Sequence, residues 1–116
     1  MSQELKLPYV NLVMISGRLV KDPFPLAAGD REGSSLVVAC NRYIKGKPTI
    51  STFVDAVAWG DVAKAINSHC KKGDAVLISG ALAQYEAKGN GGKKTQVSIA
   101  SIQFLTRPEQ DVEAAE

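Results

Sequence analysis

The hydrophobic period of this chain changes once, between Asp61 and Gly73, and the position of that change fixes the order of its elements. Val62, Ile66 and Cys70 recur every fourth residue there. Asp61 stands where an N-cap belongs, Lys71 and Lys72 fall where the helix dipole favours cations, and Gly73 suits a left-handed terminator. One helix is therefore predicted. Around it, apolar residues come in strand-length runs rich in β-branched side chains, at residues 10–20, 35–44, 49–59, 74–82 and 95–105. Residues 21–33 hold turn chemistry without periodicity and are predicted as a long loop. Residues 45–48 form a basic turn, and residues 88–94 a glycine-lysine hairpin tip. Three strands, a helix and two strands is the order of an OB-fold, an all-β, five-stranded, partly open Greek-key barrel with its helix between strands 3 and 4. Gly17 and Gly80 suit the sharp strand bends of such a barrel. An unspecified five-stranded sheet with one helix is the plainer alternative.

A length of 116 residues suits one domain, here residues 1–107, followed by a short acidic tail at 108–116. The net charge of +2 conceals an uneven distribution. Four of the twelve acids lie in residues 109–116, which hold no base, so the body of the chain is clearly basic. A basic body attracts polyanions, although lysines also serve simply to keep a surface solvated. Cys40 and Cys70 are far apart, without a CxxC pair, and His69 is the single histidine. Neither a zinc-ligand set nor a disulfide framework is indicated, and no cofactor is expected. No signal-peptide h-region and no run of apolar residues long enough for a membrane span is present, which predicts a soluble protein in a reducing compartment.

Catalytic chemistry finds no support. His69 and Cys70 are neighbours on the predicted helix and project about 100° apart, too far for a dyad. The GNGGKKT stretch fails the phosphate-loop pattern, with Ala87 where its first glycine should stand and Lys94 where Ser or Thr should follow Lys93. The third strand carries more. Alternation puts Phe53, Asp55, Val57 and Trp59 on one face and Val54, Ala56 and Ala58 on the other. A small apolar face fits a barrel interior, whereas a face with an ionised Asp55 is costly to bury, so the aromatic face is expected to be open or partly covered. Trp59 packed as core against the following helix is the competing reading. Open aromatics beside Tyr43, Lys45 and Lys47 fit single-stranded nucleic acid, whose bases stack on rings and whose phosphates meet lysines. Arg18, Arg42, Lys88, Lys93 and Lys94 are further basic candidates.

Three blocks, NLVMISGRLVKDP at 11–23, STFVDAVAWGDVA at 51–63 and KKGDAVLISGAL at 72–82, resemble the bacterial single-stranded DNA-binding protein family in residues, order and spacing. The resemblance implies an OB-fold that binds single-stranded DNA with little sequence preference in replication, recombination and repair. It implies no catalysis, no cofactor and no metal. Homotetramers are usual in that family, with a dimer as the alternative, and a cytoplasmic, nucleoid-associated location follows. By the resemblance Phe53, Trp59 and Tyr85 match stacking aromatics, Tyr85 in a hairpin about two residues shorter. The family's second-strand aromatic falls on Ile44, with Tyr43 one residue earlier and, by alternation, on the opposite face from Ile44. The family's long linker and terminal Pro-Phe are represented by residues 108–116 alone, acidic but without the hydrophobic anchor that recruits replication and repair proteins. A primosomal replication protein-like adaptor, using the same fold mainly to contact protein partners, is the alternative function.

Overall fold

The computed structural model describes residues 6–86, 89 and 91–105. In chain order its elements are β1 (Val13–Leu19), β2 (Phe24–Ala28), β3 (Arg31–Arg42), β4 (Ile50–Trp59), α1 (Asp61–His69), β5 (Ala75–Glu86) and β6 (Lys93–Phe104). Neighbouring strands run β1-β5-β6-β4-β3-β2, and β1 pairs back onto β3, so five strands close into a ring and β2 lies outside it. The β4–β6 pair is parallel and the others are antiparallel. The OB-fold expected from element order is the fold observed.

Alternation places the core. Leu36 and Val38 of β3, Ala56 and Ala58 of β4, Val76 and Ile78 of β5, and Val97 of β6 are almost fully buried inside the ring. Helix α1 adds Ala63 and Ile66, both 0 % exposed, and Cys70 follows them into the same cluster. Each large aliphatic side chain buried this way contributes roughly 1.5–3 kcal/mol.

Two glycines let strands approach where the ring closes. A Cβ at Gly17 would strike the Ala39 carbonyl as β1 meets β3, and one at Gly80 would strike the Ser98 carbonyl. The β5–β6 register shifts between Ser79 and Gly80, the irregularity that a bent strand needs. Polar joints reinforce the closure. Asn11 forms a two-way clip on β5, its Oδ1 accepting from the Leu82 N–H at 2.8 Å while its Nδ2 donates to the Leu82 carbonyl at 3.0 Å. Asp22 accepts from the Lys72 N–H at 2.8 Å, and the Gly73 N–H donates to the Leu19 carbonyl at 2.8 Å.

Several sequence expectations are corrected. The predicted loop at 21–33 holds β2 and the start of β3, paired from Phe24↔Ser35 to Ala28↔Arg31. Two prolines and a glycine concealed that strand, and Pro25 is tolerated because β2 is an edge whose missing N–H leaves no interior ladder bond unmade. The helix N-cap is Gly60 and makes no side-chain capping bond, with Asp61 the first helical residue. The helix ends at His69, before Lys71 and Lys72, and Gly73, at φ +92°, belongs to the turn into β5 rather than to the helix end. Strand β5 runs four residues past the predicted end, to Glu86, and β6 starts two residues early, at Lys93, because the hairpin ladder continues to Glu86↔Lys93. The acidic tail at 108–116 lies outside the described residues. Among the described residues no helix is long and apolar enough to cross a membrane.

Candidate nucleic-acid interface

On β4 the two faces differ as alternation requires. Ala56 and Ala58 are 1 % exposed, whereas Phe53 is 68 % exposed. Opposite the outer face, β3 presents small or short residues, pairing Phe53 with Ala39, Asp55 with Val37, Val57 with Ser35 and Trp59 with Gly33. Nothing bulky on β3 stands over the Phe53 ring. The face is not uniformly open, however, because Val57 is buried and Trp59 is half-buried.

The cover on Trp59 comes from β3. Its benzo ring lies on Gly33, where an added Cβ would stand 2.6 Å from Cζ3 and 2.7 Å from Cε3. The Arg31 guanidinium carbon sits 4.7 Å from the ring centroid, a cation–π distance. This half-buried setting lies between the two sequence readings of Trp59, with Gly33 and Arg31 of β3 against the ring.

Tyr85 is 37 % exposed and pairs with Lys94 across the β5–β6 hairpin. Val57 and Ser98 are register partners in the parallel pair, with Phe53 and Lys94 each four residues earlier. Tyr85 and Lys94 therefore lie at the Phe53 end of the same outer face. Tyr43 follows β3, is 76 % exposed, and lines a depression of about 240 Å³ with Arg18, Ala39 and Asn41. Since Ala39 is the register partner of Phe53, Tyr43 shares the Phe53 side, and Ile44 is the residue turned away.

The basic candidates are spread around these rings. Arg18 pairs with Ala39, and its Nη1 donates to the Gly73 carbonyl at 2.9 Å, so part of its capacity holds the turn before β5. Arg42 ends β3 opposite Ile50. Lys45 and Lys47 are exposed in a turn closed by the Lys47 N–H donating to the Ile44 carbonyl at 3.0 Å. Lys93 is the register partner of Glu86, and Lys88 lies outside the described residues.

Three residues of this face escaped the sequence reading: Phe24, Arg31 and Gly33. Phe24, 63 % exposed, is the register partner of Ser35 and so shares the face of Val57. The signal for Arg31 and Gly33 was their two-residue spacing ahead of the apolar run, legible only once 31–42 is taken as one strand. The hairpin is fixed in place: the Gly60 N–H donates to the Glu32 carbonyl at 2.8 Å, and Asn67 Nδ2 donates to Glu32 Oε2 at 2.9 Å and to the Gly33 carbonyl at 3.1 Å.

Residues 10–105 match the model of the single-strand binding protein family, which covers the whole ring and its helix. The chain belongs to that family. It is 31 % identical over 110 residues to single-stranded DNA-binding protein 2 of Chlorobaculum tepidum, covering 87 % of this chain and 74 % of the relative. It is 32 % identical to single-stranded DNA-binding protein 2 of Streptococcus agalactiae, covering 82 % of this chain and 76 % of the relative. A third relative, the single-stranded DNA-binding protein of Fusobacterium nucleatum, is 28 % identical, with 82 % of this chain and 66 % of the relative covered. The resemblance first carried by three motif blocks thus extends over residues 10–105. Most of the polar joints described above connect residues of the first and third of those blocks.

Proposed function

We propose that this chain binds single-stranded DNA with little sequence preference, protecting it during replication, recombination and repair. The observation that carries the reading is the Phe53 ring, 68 % exposed on the outer face of a family member's OB-fold with Tyr43, Tyr85 and Lys94 around it. Rings there accept any base face, and Arg18, Arg42, Lys45, Lys47, Lys93 and Lys94 meet phosphates; Lys88 joins them by its sequence position. Duplex DNA hides its base faces, so the platform selects single strands. Binding of this kind needs no catalytic group, metal or cofactor, and its DNA substrate puts the protein in the cytoplasm at the nucleoid. The adaptor alternative is not favoured, because the relatives it matches are named as DNA-binding proteins.

Assembly with further copies belongs to the same reading. Leu7, Tyr9, Val10 and Leu12 are each more than 70 % exposed ahead of β1, and β1 pairs with β3 only at Arg18 and Leu19. An apolar strip beside an open strand edge is covered by a second copy of the chain, and pairs of such dimers give the homotetramer. Titrating a thymidine oligonucleotide and its duplex counterpart, followed by anisotropy and light scattering, tests both claims. Single-strand preference and a mass of four chains are expected; equal affinity for the duplex refutes the binding reading.

A further inference from the structure

We infer that Arg31 and Trp59 work as one unit in which the indole seats the guanidinium and Arg31, rather than the Trp59 ring, engages the DNA. The inference rests on the single-strand-binding reading of this face and assigns the end of it opposite Lys45, Lys47, Lys93 and Lys94.

The indole is occupied before any ligand arrives. Its benzo ring lies on Gly33, with a would-be Cβ 2.6 to 3.0 Å from three ring carbons, a contact with the ring face rather than its edge. The Arg31 guanidinium lies over the ring at 4.7 Å from the centroid. A base that stacks on Trp59 competes with that cation for the ring, whereas the 68 % exposed Phe53 ring has no such partner among the contacts described above. A guanidinium laid on a ring keeps its planar N–H fork free along its edge, and the fork matches two oxygens of one phosphate. Seating also limits the rotamers of a long side chain, so less freedom is lost when a phosphate binds.

Charge placement agrees. Lys45 and Lys47 occupy the turn between β3 and β4, and Lys93 and Lys94 begin β6 near Phe53. Trp59 ends β4 at the opposite limit of the face, where β3 starts with Arg31. A strand of DNA running from Phe53 past Val57 meets Arg31 there. Because the Asn67 and Gly60 bonds hold Glu32 and Gly33, the residue next to them is presented from a fixed backbone.

The test is the salt dependence of binding to a long thymidine oligonucleotide for the full chain and for Arg31→Gln, Trp59→Phe, Trp59→Ala and Phe53→Ala. One phosphate contact on a single strand contributes about 0.7 to the slope of log K against log salt. Arg31→Gln is expected to lower the slope by that amount, Trp59→Ala by the same amount, and the two together by no more than either alone. Trp59→Phe, which retains a seat, keeps most of the slope, and Phe53→Ala weakens binding without changing it. Arg31 is exposed, so its replacement leaves the fold intact and decides the matter even if Trp59→Ala melts early. An unchanged slope in Arg31→Gln overturns the inference, as does a Trp59→Ala loss independent of salt and additive with it. If Phe53→Ala also binds normally, the failure lies in the interface reading itself.

Discussion

At the scale of single residues, exposure separates side chains that act on a ligand from those that hold the fold. Phe53 is 68 % exposed and its truncation removes little packing, so Phe53→Ala is expected to weaken single-strand binding by roughly 1–3 kcal/mol while melting is unchanged. Calorimetric melting beside an anisotropy titration checks both halves of that statement. Gly33 gives the opposite signature. Gly33→Ala forces a methyl against the Trp59 ring, an overpacking that costs about 1–3 kcal/mol of stability and moves the tryptophan emission as the ring is lifted towards water. An unshifted spectrum with normal melting would mean that the ring does not rest on that glycine. The division of β4 into a small face and an aromatic face was readable from alternation, because a strand's period of two leaves no freedom in which residues share a side. The state of Trp59 was not readable, because it depends on Gly33 and Arg31, residues far away in sequence that become its neighbours only through the β3–β4 register.

At the scale of elements, the β2–β3 hairpin is the part that sequence patterning missed. Periodicity detects a strand by the alternation of large apolar and polar residues, and Phe24–Ala28 offers five residues without a polar one, interrupted by a proline. Beside its own ladder, long-range bonds from the helix help to hold it. Asn67→Ala removes the donor to Glu32 and to the Gly33 carbonyl, leaving a part-buried carboxylate and carbonyl without it, and is expected to cost about 1–3 kcal/mol. Amide exchange should then rise in residues 24–33 and stay low in β5 and β6; a uniform rise would show that the hairpin does not open by itself. Under the proposed single-strand-binding reading, the hairpin also widens the platform. Phe24→Ala is expected to weaken long oligonucleotides and leave those too short to span Phe53 and Phe24 unaffected, in a length series with Phe53→Ala as reference. Helix α1, by contrast, was legible through Val62 and Ile66, with Cys70 just past its end, because a four-residue spacing of inward side chains suits a helix packed on one side.

At the scale of the whole molecule, the ring divides into two units. The β2-β3-β4 meander is contiguous, whereas β1, β5 and β6 are brought together across it. Each seam between the units is short, two register pairs in β1–β3 and two in β4–β6. The first two motif blocks supply one side of each seam, Arg18 and Leu19 in one and Ala56 and Val57 in the other, which helps explain why element order and motif spacing revealed the fold more readily than the outer face: closure constrains particular positions, while a stacking platform demands only rings and cations on one side. The seams also set an order of assembly in time. Strand β3 pairs with β4 across a short turn, so its chain-closure entropy is small, while β1 must wait for β5 across the intervening hairpins and helix. The meander is thus the natural nucleus. Shortening Val38→Ala is expected to slow refolding, and Ile78→Val mainly to speed unfolding, in denaturant-jump kinetics. The reverse partition would place the nucleus in the discontinuous half.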